Sequence, residues 1–141
     1  ADLWHTALGV ETEIVELEWQ VYLDRRHHPG DCDLVRLGWS ADFADPEAFA
    51  AVFESGNAQN TLGYSSTAYD GLLRQSRLET DAARRAALLA QAEAQLLDDV
   101  PVIPVFFRVA KRLVKPYVLG VGANPLGHVA SRDLSFAGPG S

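Results

Sequence analysis

Residues 32–46 of this 141-residue chain read CDLVRLGWSADFADP, and their pattern predicts a strand, an irregular loop and a helix start in succession. It begins with a short, largely apolar run at 32–37, a pattern that is typical of a strand. It ends with Asp45 and Pro46, which predict a helix start because aspartate caps free N–H groups and proline suits the first helical position. Strand, irregular loop and helix in succession are characteristic of layered α/β domains.

Helices and strands alternate on both sides of this stretch. Residues 2–9 are typical of the back half of a helix that ends at a glycine C-cap. Residues 10–17 follow a mostly period-2 pattern, which predicts a strand with one wet face. Further along the chain, the patterns predict four helices: 19–26, 45–53, one that begins at Ser65 or Ser66, and 81–99. They also predict strands over 102–107 and near Leu134, and an extended segment at 111–115.

Two of these helices carry clear apolar faces, and the longer one begins at Asp81. Three alanine-rich turns place Leu89, Ala92 and Leu96 on one stripe, and the preceding helix is predicted to present Tyr69, Leu72, Leu73 and Ser76 on one side. Two or three strands are few for a free-standing sheet. Because the chain also contains no methionine, we expect it to be a piece of a longer protein that supplies the missing strands.

Composition excludes several classes of protein. Apolar residues make up 48% of the chain and charged residues 22%, close to soluble globular averages, so a single folded domain is expected. The formal net charge of −7 repels phosphate backbones, and we therefore expect no nucleic-acid partner. No apolar run approaches the length needed to span a bilayer.

The chain offers little for catalysis or metal binding. Its one cysteine, Cys32, and its four histidines lack the spacing of a zinc or haem site. The residues around Ser40 have an aspartate where a nucleophile elbow requires its second glycine, and no glycine-rich phosphate loop is present. The sequence therefore predicts no enzyme, no metal and no cofactor.

Large amphipathic and charged side chains cluster in sequence around the strand at 32–37. An indole followed three residues later by a carboxylate, Trp39 and Asp42, suits a polar-ligand site in a loop after a strand. Spacing alone leaves the plainer alternative open, in which Trp39 is a core residue and Asp42 a surface charge. The full candidate cluster is Trp19, Arg26, Arg36, Trp39 and Asp42.

A family resemblance extends over nearly the whole chain. The motifs occur in order and with compatible spacing, and together they resemble the peptide-type extracellular solute-binding proteins of ABC importers. The motifs are Trp4-x-x-x-Leu8-Gly9-Val10, Glu18-Trp19-x-x-Tyr22-Leu23, Asp33-Leu34-x-x-x-Gly38-Trp39-x-Ala41-Asp42-Phe43-x-Asp45-Pro46, Asn60-x-x-x-Tyr64-x-x-x-x-Tyr69-Asp70-x-Leu72-Leu73, Asp81-x-x-x-Arg85-x-x-Leu88-x-x-x-Ala92-Glu93-x-x-Leu96, Pro101-x-Ile103-Pro104 and Leu113-Val114-Lys115-Pro116.

The resemblance implies an α/β fold, part of one lobe of a two-lobed type II periplasmic binding protein with a small mixed sheet flanked by helices. Residues 1–101 would be the C-terminal half of the second ligand-binding lobe. Residues 102–141 would form a crossover strand and a C-terminal segment that returns toward the first lobe. On this view half of the binding cleft is absent, and we expect the 141 residues alone to bind peptide weakly or not at all.

The resemblance also implies ligand-binding residues. In the family, the aspartate of the Gly-Trp-x-Ala-Asp motif meets the α-ammonium group of the bound peptide, which assigns this role to Asp42. Trp39 would form a pocket wall beside it. Trp19, Arg26 and Arg36 match positions near ligand side chains or the peptide carboxylate, although the loop between the two arginines is one residue longer than in the family pattern.

Two departures from the oligopeptide binders concern the substrate. Ser40 stands where they have cysteine, and Arg108 stands where they have a tyrosine on the ligand side. Both residues belong to the predicted ligand-binding set. Relatives with such changes carry dipeptides, cell-wall peptides, sugars or metal chelates, while Asp42 favours a peptide.

The predicted function is capture of extended oligopeptides between two lobes and delivery to the membrane permease of an ABC importer. The resemblance implies a periplasmic location or the extracellular face of the membrane, and a lipid anchor on the parent protein is compatible with both. Two alternatives stay open from the sequence: a receptor of the same family for dipeptides, sugars or metal chelates, and a stand-alone interaction domain that docks through the helix at 81–97.

Overall fold

A computed structural model describes residues 1–28, 30, 32–109, 111–122, 124 and 126–138. The chain divides into two compact units, Ala1–Leu37 and Gly38–Ser141. None of the helices in these described ranges is long and apolar enough to cross a membrane.

The first unit contains two helices, both predicted. Helix α1 spans Asp2–Leu8 and ends at Gly9, whose φ of 66° allows its N–H to bond back to the last turn. Helix α2 spans Trp19–His27. It begins at Glu18, whose carboxylate accepts a 2.8 Å hydrogen bond from the Gln20 N–H and so satisfies one of the free donors of the first turn.

The second unit is built around three helical segments. Helix α3 spans Glu47–Ala50 and continues as a 3-10 turn over Ala51–Phe53, which matches the predicted helix at 45–53. Helix α4 spans Thr67–Leu78 and helix α5 spans Ala82–Asp99. Of the two serines predicted at the start of α4, Ser66 is the cap, and its hydroxyl accepts from the Tyr69 N–H. Asp81 caps α5, where its carboxylate accepts from the Arg84 N–H.

The hydrophobic core lies between α4 and α5. Five side chains that are buried together form it: Tyr69, Leu73, Leu89, Ala92 and Leu96. The predicted stripe of α5 is confirmed in full. On α4 the buried residues include Ser76, whose hydroxyl donates to the Leu73 carbonyl at 2.8 Å and is thereby satisfied. Because α5 spans 18 residues and is held to α4 by this core, it provides a fixed surface for the rest of the unit.

The sheet is smaller than predicted, and it is antiparallel rather than mixed. Strand β1, Val118–Leu119, pairs with β2, Ser135–Phe136, so the short strand expected near Leu134 is present. Gly120 follows β1 with a φ of 87°, and a Cβ there would lie 1.8 Å from the Asp133 carbonyl oxygen. Only glycine therefore fits this return of the chain.

The other predicted strands do not form. Residues 10–17, 32–37 and 102–107 contain no strand in the described chain. Residues 111–115, which are predicted to be extended rather than to form a strand, are not paired in the described sheet. The physical reason is that a strand exists only with a hydrogen-bonding neighbour, and the described residues supply none beside these segments. Parts of the predicted C-terminal loops, residues 123, 125 and 139–141, lie outside the described residues.

Candidate functional site

The Trp39–Ala48 loop, residues 39–48, is closed by a side chain at its start. Trp39 is half-buried, and its indole Nε1 donates a 3.0 Å hydrogen bond to the backbone carbonyl of Ala48, itself buried in α3. A buried indole needs an acceptor for its single donor. The bond therefore orients the ring and ties the two ends of the loop together.

Asp45 is the second fixed point of the loop. Its Oδ1 accepts from the Glu47 N–H at 2.9 Å and its carbonyl from the Ala48 N–H at 3.0 Å, so it caps α3 as the sequence predicts. Its carboxylate also receives both N–H groups of the Arg85 guanidinium, at 2.7 and 2.9 Å. The hydrogen bonds from Arg85 hold the pKa of Asp45 below its usual value.

A chain of alternating charges extends from Asp45 across the surface of the three helices. Arg85 also donates to Glu47 at 3.1 Å, and Glu47 accepts from Arg77 of α4 at 2.5 Å. Arg77 then forms a two-bond fork with Glu54 at 2.8 and 2.7 Å, which lowers the pKa of Glu54 and raises that of Arg77. The network binds α3, α4 and α5 to one another at the base of the loop.

Asp42 lies between the two fixed points and is exposed. No described residue donates a hydrogen bond to its carboxylate or forms an ion pair with it, whereas Asp45, three residues later, is fully engaged. A carboxylate that is exposed and unused by the fold can accept two or more hydrogen bonds from a cationic ligand. Chemically, the loop carries an exposed anionic acceptor three residues after an indole.

The remaining predicted residues of this unit are also exposed. Ser40 lies in the same loop, between Trp39 and Asp42. Arg108 lies in the segment after α5, and no described contact joins it to the loop. Trp39, Ser40 and Asp42 thus lie in one loop, and Arg108 has no described contact with that loop.

Trp19, Arg26 and Arg36 belong to the first unit. Trp19 stacks on Tyr22 with ring centroids 5.4 Å apart, and Tyr22 donates its hydroxyl to the Arg36 carbonyl at 2.7 Å. These contacts join helix α2 to the segment at 32–37. Arg26 is half-buried on α2, while the Arg36 side chain is exposed.

Sequence reasoning missed the role of Arg85. The same stripe that places Leu89, Ala92 and Leu96 in the core contains position 85, four residues before Leu89 and therefore one turn earlier on the same face. An arginine on a core-facing stripe needs an anionic partner from another element. That signal was present in the sequence, but nothing in the local pattern identified the partner as Asp45, 40 residues away.

A metal centre has no support in the described part of the chain, where no three His, Cys, Asp or Glu side chains converge.

Comparison with known proteins gives a consistent result. No family model matches the chain. The periplasmic oligopeptide-binding protein OppA of Escherichia coli strain K12 is 38% identical over 135 residues, which cover 95% of this chain and 25% of that protein. The chain is homologous to the peptide-type solute-binding proteins. It spans about a quarter of the length of the curated relatives it matches.

Solved structures of this family superpose closely on the chain. OppA of Burkholderia pseudomallei matches with a TM-score of 0.87 at 36% identity, over 97% of this chain and 27% of that one. OppA of Haemophilus influenzae, solved in complex with RPPGFSPFR, matches with a TM-score of 0.85 at 34% identity, over 96% and 27%. The expected type II periplasmic-binding-protein fold, represented here by part of it, is confirmed.

Proposed function

We propose that the protein to which this chain belongs is the substrate-binding component of an ABC importer and captures extended oligopeptides for a membrane permease. The observation that carries the proposal is Asp42, an exposed carboxylate with no described partner in a loop fixed on both sides. The oligopeptide-binding relatives support the same conclusion. The protein is a receptor and not an enzyme, and it acts in the periplasm or at the extracellular face.

Asp42 anchors the α-ammonium group of the peptide. An ammonium ion that leaves water for a cleft needs a charged acceptor, and a hydrogen bond to a charged group contributes about 1.5 to 3 kcal/mol net. Trp39 forms one wall of the ammonium pocket, and the hydrogen bond from its indole to the Ala48 carbonyl fixes the orientation of its ring. Ser40 provides a small hydroxyl at the edge of this pocket.

The guanidinium groups of Arg26, Arg36 and Arg108 and the ring of Trp19 serve other parts of the peptide. A guanidinium fork matches the geometry of a carboxylate, so the arginines suit the C-terminus or acidic side chains of the ligand. Trp19 is 61% exposed and lies flat on Tyr22, so one face of its ring is available to an apolar ligand side chain.

The proposed assignment of residues to the two lobes follows the family architecture. Residues 1–101 contribute the C-terminal half of the second ligand-binding lobe, and residues 102–141 cross toward the first lobe. Support comes from a run of exposed apolar side chains at the start of that second segment, where Val105, Phe106 and Phe107 are 81%, 73% and 98% exposed. Exposed apolar side chains in a continuous run are typical of a surface that packs against another part of a protein.

The test is a calorimetric titration of the protein at the length its gene encodes. The ligands are a short peptide of mixed sequence and its N-acetylated twin. We define the amine preference as the Kd of the acetylated peptide divided by that of the free peptide. If Asp42 anchors the ammonium group, the amine preference is about 10 to 100, and Asp42→Asn brings it close to one.

The matched control is Asp98→Asn, which removes another exposed carboxylate with no described partner, near the end of α5. This variant should keep the amine preference of the wild type. A wild-type protein that binds both peptides equally well contradicts the role of Asp42. If neither peptide binds, the ligand class is wrong, and sugars or metal chelates become the ligands to titrate next.

The pH dependence of the amine preference gives a second check on the same proposal. A peptide α-amino group has a pKa of about 8 and loses its charge above that value. The amine preference should therefore fall when the titration is repeated at pH 9.5, about 1.5 units above that pKa. A preference that is unchanged there would mean that shape, and not charge, distinguishes the two peptides.

A further inference from the structure

We infer that Arg85 is a positioning residue for ligand binding, which fixes the loop that carries Asp42 and thereby sets the amine preference. The inference rests on the proposed function, because it assigns the means by which the Asp42 carboxylate is held in place. Arg85 itself lies on α5 and is assigned no contact with the ligand.

The first argument is the way the Trp39–Ala48 loop is fastened. Three side chains fasten it in the described contacts: Trp39 through the carbonyl of Ala48, Asp45 through Arg85, and Glu47 through Arg85 and Arg77. Of the two residues that Arg85 binds, Asp45 is the nearer to Asp42 in the sequence. Between Asp42 and Asp45 the chain turns tightly, since the Asp45 N–H donates to the Phe43 carbonyl at 2.9 Å. This bond ties Asp45 to Phe43, the residue that follows Asp42, so a movement of Asp45 displaces the turn that carries Asp42.

The second argument is that Arg85 is itself well fixed. It lies one turn before Leu89 on the buried stripe of α5, and its side chain is 27% exposed. Its two-bond fork to Asp45 and its third bond to Glu47 restrict the guanidinium in both distance and angle. The bonds from Arg85 thus anchor the loop to the packed pair of α4 and α5.

Positioning and simple electrostatics predict opposite results when Arg85 is neutralised. Arg85→Gln removes the positive charge that balances the carboxylates of Asp45 and Glu47. The region therefore becomes more negative and attracts a cation more strongly at long range. Loss of position instead weakens the hydrogen bonds between Asp42 and the ammonium group, because these depend steeply on angle. The sign of the change in amine preference separates the two effects.

Arg77 provides a matched control within the same network. It binds Glu54 through a two-bond fork and Glu47 through one hydrogen bond, the same number of bonds that Arg85 makes, but it does not touch Asp45. Arg77→Gln therefore removes the same charge and loosens α4 from α3, while the bonds between Arg85 and Asp45 remain. A purely structural role for the network predicts that the two variants behave alike.

The experiment measures the amine preference of the protein at the length its gene encodes, with the free and acetylated peptides defined above. We expect Arg85→Gln to lower the preference about tenfold and Arg77→Gln to change it less than about twofold. Arg85→Lys keeps the charge and one bond to Asp45, and should give an intermediate value. Circular dichroism checks that each variant is folded.

Arg85→Lys keeps the inference testable if Arg85→Gln does not fold. Lysine keeps the positive charge but cannot form the two-bond fork with Asp45, so a positioning role predicts a lower amine preference. Simple electrostatics predicts no change in this variant, because the charge of the region is the same.

The outcomes distinguish the two proposals. If the wild type shows an amine preference that Asp42→Asn abolishes, but Arg85→Gln and Arg77→Gln lower it equally or not at all, the positioning role is overturned and the proposed function stands. A preference that rises in Arg85→Gln also overturns it. A wild type without any amine preference overturns both.

Discussion

Trp39 and Ala48 are joined by a hydrogen bond of 3.0 Å from the indole N–H to the backbone carbonyl, across nine residues of chain. Phenylalanine at position 39 keeps an aromatic ring but removes the donor and leaves the carbonyl without it. We expect Trp39→Phe to lower the free energy of unfolding by about 1 kcal/mol. Urea denaturation of the protein at its encoded length measures this directly.

The control for this substitution is Trp19→Phe. Trp19 is 61% exposed, and its ring contact with Tyr22 can be kept by phenylalanine. The change in unfolding free energy should stay within about 0.5 kcal/mol. Equal losses in the two variants would mean that ring size, and not the bond to Ala48, accounts for the effect.

Leu73 tests the core between α4 and α5. It is fully buried, so Leu73→Ala leaves a cavity and is expected to cost about 2 to 5 kcal/mol. Leu78, on the same helix but 79% exposed, is the matched site, and Leu78→Ala should cost far less. A similar shift in the unfolding midpoint for both variants would contradict the assignment of the core.

Acid should weaken the charge network. Hydrogen bonds from Arg85 and Arg77 lower the pKa values of Asp45 and Glu54 in the folded state. A carboxyl whose pKa is lower in the folded chain than in the unfolded chain stabilises the fold above the unfolded value, about 4, and loses that contribution as the pH falls through the folded value. Stability from these groups is therefore present at pH 7 and lost in acid.

Asp45→Asn makes this pH dependence measurable. The variant should unfold more easily than the wild type at pH 7, and the difference should shrink as the pH falls well below about 4, where the wild-type carboxyl is also neutral. Thermal unfolding at a series of pH values gives the two curves. A difference that is constant with pH would show that the charge of Asp45 does not account for the loss of stability.

Local chemistry predicted the helices but not the strands. Glycine at position 9, aspartate at 45 and serine at 66 act within their own turns, so the sequence around each was sufficient to predict a helix boundary. Residues 10–17 and 102–107 have the patterns of strands, yet a strand depends on a neighbour that no local pattern supplies. The relatives are about four times longer than this chain, which agrees with those neighbours lying elsewhere.

The candidate site divides in the same way. Trp39 and Asp42 were found from a loop after an apolar run, and the family motif assigned the role of the aspartate. The ion pair that holds that loop was not predicted, because Arg85 and Asp45 are 40 residues apart in the sequence and meet only when α5 packs against α3. The residues proposed to contact the ligand lie within one local motif, whereas the residue that holds their loop is distant in the sequence and has no local signal that names its partner.

Val100 ends α5 with a φ of 51°, and it is the one non-glycine residue with a positive φ among those the structure describes. A β-branched side chain is strained there, while glycine adopts this conformation freely. Val100 is 60% exposed, so little burial is lost on its removal. We expect Val100→Gly to raise the free energy of unfolding by about 0.5 to 1 kcal/mol.

The comparison is with Val105→Gly, at an exposed valine whose φ is not positive. There the substitution relieves no strain and only adds freedom to the unfolded chain, so stability should fall or stay the same. Opposite signs for the two glycine variants in one denaturation series identify the relief of backbone strain as the cause. A loss of stability at both positions would mean that Val100 gains more from its contacts than its left-handed backbone costs.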